Sequence, residues 1–462
     1  MPLFLAFLGI LCLILLIIWV KLDTFISFII VSIGLGLACG MNVHQISSAI
    51  QKGIGNILGS LVIILGFGAM LGRLVAESGA AQQITQSLIR LSGIRNIQWA
   101  MAFAGLLVGI PMFYTAGFVV VVPLIFAIGA TTELPLLYIG MPMLAALSVA
   151  HGFLPPHPSP TAIAQQLHAD IGKTLLYGMV AAIPSIILAG VFFGKTLRKY
   201  KPIPDPSLLT VKIMEPGELP SLTRSLLVAL MPLILLTTTT LVQAFPLQEA
   251  LDKSMAARMG YSYMGAFLSD AVDLIFAVIR FAGEPNMAML ISVLVAIYLL
   301  GLKRKRPMKQ VMKSMEDAFK GVAPVMLVIA GSGVFMQVMS DGGVNVYIAE
   351  SLKNTPVSPL ILGWGIAVVI RVCTGSATVA GLTTVGILLP LLHQPAVQPE
   401  LMVLAIGAGS LMFSHVNDGG FWLLKEYFNL TIRQTFATWT VMESMVSVTG
   451  LLIVLLMNQF VH

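Results

Sequence analysis

The chain has 462 residues, of which 57% are hydrophobic and only 10% charged, with mean hydropathy +0.94 and a formal net charge of +6. That balance excludes a soluble globular domain and describes an integral membrane protein. The positive excess lies mostly in two loops, so it reports orientation rather than nucleic-acid binding.

Apolar runs near the ~20 residues needed to cross a bilayer recur along the whole chain. The first, "PLFLAFLGILCLILLIIWV" (2 to 20), has no basic residue before it and no small-residue cleavage site, which predicts an uncleaved first helix. After "FISFIIVSIGLGLACGM" (25 to 41), the Gly-rich "GFGAMLG" (66 to 72) lacks the Lys and strand of a phosphate loop and predicts close helix packing. Arg73 and Glu77, one turn apart, predict an interfacial pair. "GIPMFYTAGF" (109 to 118) stands between apolar half-lengths too short to cross alone and suits the tip of a re-entrant hairpin. "HGFLPPHPSP" (151 to 160) cannot continue a helix, because consecutive prolines remove donors and clash with the preceding turn.

The middle of the chain fixes orientation. Lys195 to Arg224, containing "KTLRKYKPIP", and Lys303 to Lys320, containing "KRKRPMKQ", are both basic and should face the cytoplasm. Two spans must separate them, at about 225 to 245 and 285 to 302, joined by an external connection; "DAVDLIFAVIRF" is too charged to count as a span. Further on, "RVCTGSATVAG" (371 to 381) suits a second hairpin tip, and Gly419-Gly420 in "SHVNDGGF" (414 to 421) is a poor helix interior. Cys12, Cys39 and Cys373 lack paired spacing, so neither a disulfide nor a zinc site is expected.

The chain also resembles itself. "MLGRLVAESGAAQQITQSL" (70 to 88) aligns on residues 334 to 352 at an offset of 342 − 78 = 264, and the same offset carries His151 onto His415. Charges around the aligned spans alternate in sign of side, with Arg73, Arg90 and Arg95 internal and Asp341, Glu350 and Lys353 external. The expected fold is therefore an all-α polytopic membrane protein of two inverted-topology repeats with re-entrant hairpins and broken helices, about 10–12 spans in all. Residues 1–200 form the first transmembrane half, with repeat 1 at about 21–200; 201–284 hold a cytoplasmic loop, a linking span and an external connection; 285–462 form the second half.

Backbone left unpaired at membrane depth is tolerated only where it lines a cavity or is covered by protein, and broken half-helices aim their amino-terminal dipoles at an anion. The four breaks are thus the expected walls of a substrate site. "HGFLPPHPSPTAIA", "GSATVAG" and "FSHVNDGGFWLLKEYFNLTI" resemble the signatures of the gluconate permease family, within the ion-transporter superfamily, and the likeness spans the chain. The resemblance implies gluconate:proton symport in a bacterial inner membrane, and the wider superfamily implies inverted repeats with re-entrant hairpins. Two departures stand out: the family's Phe-Tyr-Glu-Val-Gly-Phe tip is "FYTAGF" here, with Thr115 in place of the acid, and Gly419 stands where the family has Pro.

A sugar acid offers one carboxylate and a row of hydroxyls, which calls for donors and mixed donor/acceptor groups. Thr374, Gly375, Ser376 and Thr378 at one tip and Tyr114 and Thr115 at the other are the expected substrate contacts, with His151, His157, His415 and Asn417 from the second pair of breaks. For each hydroxyl, bonding back to its own helix is the alternative; for the histidines, it is bonding carbonyls freed by the prolines. Asp418 is the expected proton-coupling carboxylate, with capping of the following half-helix as the competing role. Arg371 either attracts the substrate carboxylate or snorkels to the interface.

No catalytic residue, metal ligand set or cofactor is expected, since there is no His-Glu-x-x-His pair, nucleophile elbow or nucleotide fingerprint. The chain is thus expected to be a transporter and not an enzyme, its partners being a small anionic substrate and lipid. A different cargo such as D-serine, sodium in place of the proton, and a homo-oligomeric assembly all stay open.

Overall fold

A computed structural model describes residues 2–200, 202, 214–244, 263–343, 357–388, 397–416 and 418–461. Among them every regular element is helical, which keeps backbone hydrogen bonds within each segment where a bilayer offers no water. The first half comprises α1 (Pro2–Ile18), α2 (Thr24–Ala38), α3 (Val43–Glu77), α4 (Ala80–Ser92), α5 (Ile97–Gly109), α6 (Tyr114–Thr132), α7 (Leu136–Phe153), α8 (Pro158–Gln166) and α9 (Ile171–Lys199). Then come α10 (Leu222–Ala244) and α11 (Tyr263–Ala282). The second half holds α12 (Pro285–Arg304), α13 (Met308–Asp341), α14 (Pro359–Thr374), α15 (Ala377–Leu388), α16 (Pro399–Gly409), α17 (Gly419–Tyr427) and α18 (Ile432–Met457).

Local chemistry sets many of these boundaries. Asp23 accepts from the amides of Phe25 and Ile26 to start α2, and Asn42 with Gln45 forms a reciprocal capping box at the head of α3. Pro158, Pro285, Pro359 and Pro399 occupy first-turn positions, where their missing donors cost nothing. α9, α12 and α18 each contain a π-helical stretch, at Ile187–Phe192, Ile297–Gly301 and Phe436–Thr440.

All four expected breaks are present: residues 110–113 between α5 and α6, 154–157 between α7 and α8, 375–376 between α14 and α15, and 410–418 before α17. Among the described residues, six apolar runs are long enough to cross a membrane, and α3, bent by 43°, makes a seventh. That is fewer full-length spans than the sequence suggests, because the broken segments divide their apolar residues between helices too short to cross alone. The charged stretch "DAVDLIFAVIRF" is helical within α11 and exposes Leu274, Val278 and Phe281 along one side.

The two halves repeat in element order. α13 begins 308 − 43 = 265 residues after α3, and α17 begins 419 − 158 = 261 residues after α8. The pairs α5 and α14, α6 and α15, α7 and α16 fall between those offsets. α3 and α13 pack most extensively against one another. Their crossing has no side chain in it: a Cβ on Gly53 would lie 2.6 Å from the Gly333 carbonyl oxygen, and one on Gly333 equally close to that of Gly53. The shorter helices α5, α7, α14 and α16 pack as α5 on α7 and α14 on α16, which brings the four breaks to the middle of the molecule.

Candidate functional site

The second hairpin tip is built around Arg371, in the last turn of α14 and only 4% exposed. α14 ends on Gly375 in the left-handed region (φ 74°), a conformation that lacks penalty only without a Cβ. This turn directs the Gly375 carbonyl back onto the guanidinium, whose Nη1 donates to it. Nη2 reaches across to Asp418 Oδ2 at 2.5 Å, and Nε is buried without a partner.

Asp418 performs the capping role: its Oδ1 accepts from the Gly420 amide at 3.0 Å, opening α17. Its Oδ2 also accepts from the Ser414 hydroxyl. Ser414 is fixed in turn by α18, since the Trp439 indole donates to its hydroxyl at 2.7 Å and Thr440 Oγ1 donates to its carbonyl at 2.5 Å. A continuous polar chain thus runs from Trp439 through Ser414 and Asp418 to Arg371 and the hairpin tip.

In each half, a histidine ties the second break to the end of the first. His157 Nε2 donates to the Gly109 carbonyl at 2.8 Å, and His415 Nε2 donates to the Val372 carbonyl at 3.0 Å. A carbonyl can only accept, so Nε2 carries the proton in both rings. These carbonyls belong to the last turns of α5 and α14, not to the prolines, because a helix end leaves its final acceptors open.

These elements enclose a cavity of about 410 Å³, within the span of small-ligand pockets. Its wall includes Phe113, Tyr114, Ser148 and His151 from the first half, and Arg371, Thr374, Gly375, Ser376, Thr378, Asp418, Trp439 and Glu443 from the second. Tyr114 packs against His151 at 5.6 Å between ring centroids and against Trp439 at 6.0 Å, with its hydroxyl buried and unpartnered. Seven of the expected contacts therefore meet in one place: Tyr114, His151, Thr374, Gly375, Ser376, Thr378 and Asp418. His157 and His415 stand behind that wall as struts. Thr374 bonds back to the Ile370 carbonyl at 2.9 Å, and the Ser376 hydroxyl accepts from the Val379 amide at 3.3 Å, so both hydroxyls are already oriented by the backbone. Asn417 and the side chain of Thr115 lie outside the described residues.

Three wall residues escaped the sequence reading: Ser148, Trp439 and Glu443. Glu443 is 2% exposed in the middle of apolar α18; Oε1 accepts from the Ser148 hydroxyl at 2.6 Å, and Oε2 has no partner. A lone carboxylate in "VMESMVSVTG" was a readable signal, since ionisable groups at membrane depth are rare and functional. Away from the cavity, Arg73 and Glu77 do pair, at 2.5 Å, and Arg306 joins them at 3.0 Å from Glu77, tying the basic loop to the end of α3.

Residues 1–460 match the profile described as the GntP family permease. The chain belongs to this family. The permease is 44% identical to a gluconate permease of Bacillus licheniformis, with all of both chains covered, and 44% identical to a high-affinity gluconate transporter of Escherichia coli strain K12, again over the whole of both. It is 42% identical to the Gnt-II system L-idonate transporter of the same strain, over all of both chains. Two solved structures share the fold. The Alcanivorax borkumensis YdaH transporter superposes with a TM-score of 0.65 at 16% identity, covering 94% of this permease and 98% of that chain. Neisseria gonorrhoeae MtrF superposes at 0.59 and 14% identity, covering 87% and 82%. The permease is accordingly a multi-pass membrane transporter and not an enzyme.

Proposed function

We propose that this permease takes up gluconate or a closely related sugar acid across the bacterial inner membrane, by proton symport and alternating access. The observation that supports this reading is the Arg371 guanidinium, held at the junction of two chain breaks in a cavity walled by both halves. Nη1 and Nη2 are engaged, while Nε is left over inside the protein. A substrate carboxylate would bond Nε and compete with Asp418 for Nη2. Tyr114, His151 and Thr378 stand around the same space for the substrate hydroxyls, and the aromatic faces of Phe113 and Trp439 cover the carbon chain. The gluconate and L-idonate transporters among the relatives support the cargo. The recurrence of elements at offsets of 261 to 265 residues supports two repeats of opposite orientation, whose rocking would expose the cavity to each side in turn.

Uptake of labelled gluconate into proteoliposomes, acidic outside, tests the proposal. Saturable uptake that unlabelled gluconate and L-idonate suppress and neutral glucose does not is the expected result. Absence of uptake by folded, inserted protein would sink the sugar-acid assignment.

A further inference from the structure

Of the two carboxylates in the cavity wall, Asp418 is fully engaged: Arg371, Ser414 and the Gly420 amide account for both of its oxygens. Glu443 is not. Its one partner is a neutral hydroxyl, its second oxygen is buried and unbonded, and among the described residues no Lys or Arg lies within ion-pair distance. An ionised carboxylate left in that setting is costly, whereas a protonated one turns the bare oxygen into a donor facing the cavity.

We infer that Glu443 carries the coupling proton on Oε2, and that its protonation is what admits the anion. This rests on the sugar-acid symport proposed above. The charge count gives the reason. Arg371 and Asp418 cancel, so Glu443 decides whether the wall is neutral or carries a net negative charge. A sugar-acid anion meets repulsion from the ionised form, and from the protonated form it meets both a neutral wall and one more hydrogen-bond donor. The other titratable groups that face Glu443 are Tyr114 on α6, His151 on α7, Arg371 on α14 and Asp418 before α17. α9 and α16 also pack on α18 and contribute none to this wall. In the forward cycle an external proton binds Oε2, the anion follows, both are carried inward, and the O–H bond breaks to internal water once the anion has left. One proton and one monoanion move together, so no net charge is translocated.

The test compares the parent, Glu443→Gln, Glu443→Asp and Asp418→Asn in proteoliposomes, with gluconate as the probe. The parent should accumulate gluconate about tenfold per pH unit of imposed gradient, the factor that one coupled proton supplies. Glu443→Gln mimics the protonated state: accumulation should fall to near equality across the membrane, while gluconate-for-gluconate exchange persists at a reduced rate and loses its pH dependence. Glu443→Asp should regain gradient-driven accumulation. Parent-like accumulation by Glu443→Gln would overturn the inference, as would loss of exchange in folded Glu443→Gln. Loss of coupling in Asp418→Asn alone would move the proton to Asp418. If Glu443→Gln does not fold, Ser148→Ala decides, since removing the bond to Oε1 must shift the pH midpoint of exchange, and an unmoved midpoint overturns the assignment. A parent inactive on gluconate fails the substrate reading instead, and the series is then run with the acid that the parent does take up.

Discussion

Arg371 is a buried cation whose neighbours are all in use. Truncating it leaves Asp418 as an unpaired charge inside the protein, and losses of about 3–5 kcal/mol accompany such removals. Arg371→Ala should therefore lower the thermal midpoint of the detergent-solubilised protein sharply, and Arg371→Ala with Asp418→Asn should recover part of the loss. Equal damage in the single and double variants would mean that the 2.5 Å contact has no energetic coupling. Arg371→Lys poses a different question, because an ammonium cannot span Gly375 and Asp418 as a planar fork does. We expect it to fold and to raise KM for gluconate by about tenfold or more, the effect of losing roughly 1.4 kcal/mol of binding; an unchanged KM would remove Arg371 from substrate binding. Arg371 and Asp418 were each visible in the sequence as charges in apolar surroundings, but their pairing spans 47 residues and no local pattern announces it. Glu443 was as visible as Asp418 and was passed over because no Pro or Gly marks its position: attention to chain breaks finds backbone sites and misses a side chain projecting from an intact helix.

At the level of elements, the breaks were legible because their causes are local. Pro155, Pro156 and Pro158 cannot extend α7, and a residue with φ of 74° ends α14 only cheaply if it is glycine. Gly375→Ala should cost about 1–2 kcal/mol through the left-handed backbone alone, read as a drop in thermal midpoint, and should disturb gluconate affinity because the Gly375 carbonyl positions Arg371. His157→Phe keeps a ring of similar shape but removes the donor to Gly109. It should loosen the first hairpin, leaving the Gly109 carbonyl unsatisfied at a cost of about 1–3 kcal/mol. A variant as stable as the parent would show that packing, rather than this bond, holds the break. The histidines' partners were not legible, since the carbonyls they serve lie 43 and 48 residues away in sequence.

Across the whole molecule, the repeat was readable from one offset, 264, because duplicated spans keep the lengths a bilayer imposes even where their residues diverge. What the offset could not reveal is that the longest helix of each half would meet the other backbone to backbone. Gly53→Ala or Gly333→Ala should wedge α3 from α13 and cost about 1–3 kcal/mol, with a lowered thermal midpoint as the readout and slowed gluconate exchange beside it; normal values for both would mean that this crossing yields readily.

That crossing also has a mechanical side. Gly333 lies 25 residues from the start of α13 at Met308 and 8 from its end at Asp341, so the helix has arms of about 38 and 12 Å at 1.5 Å per residue. A bearing without side chains offers little to catch on, and unequal arms make it a lever. Tilting that shifts the short arm by about 1 Å swings the long one by about 3 Å. The long arm ends in the basic segment "KRKRPMKQ", so the greater travel belongs to the face where that segment sits.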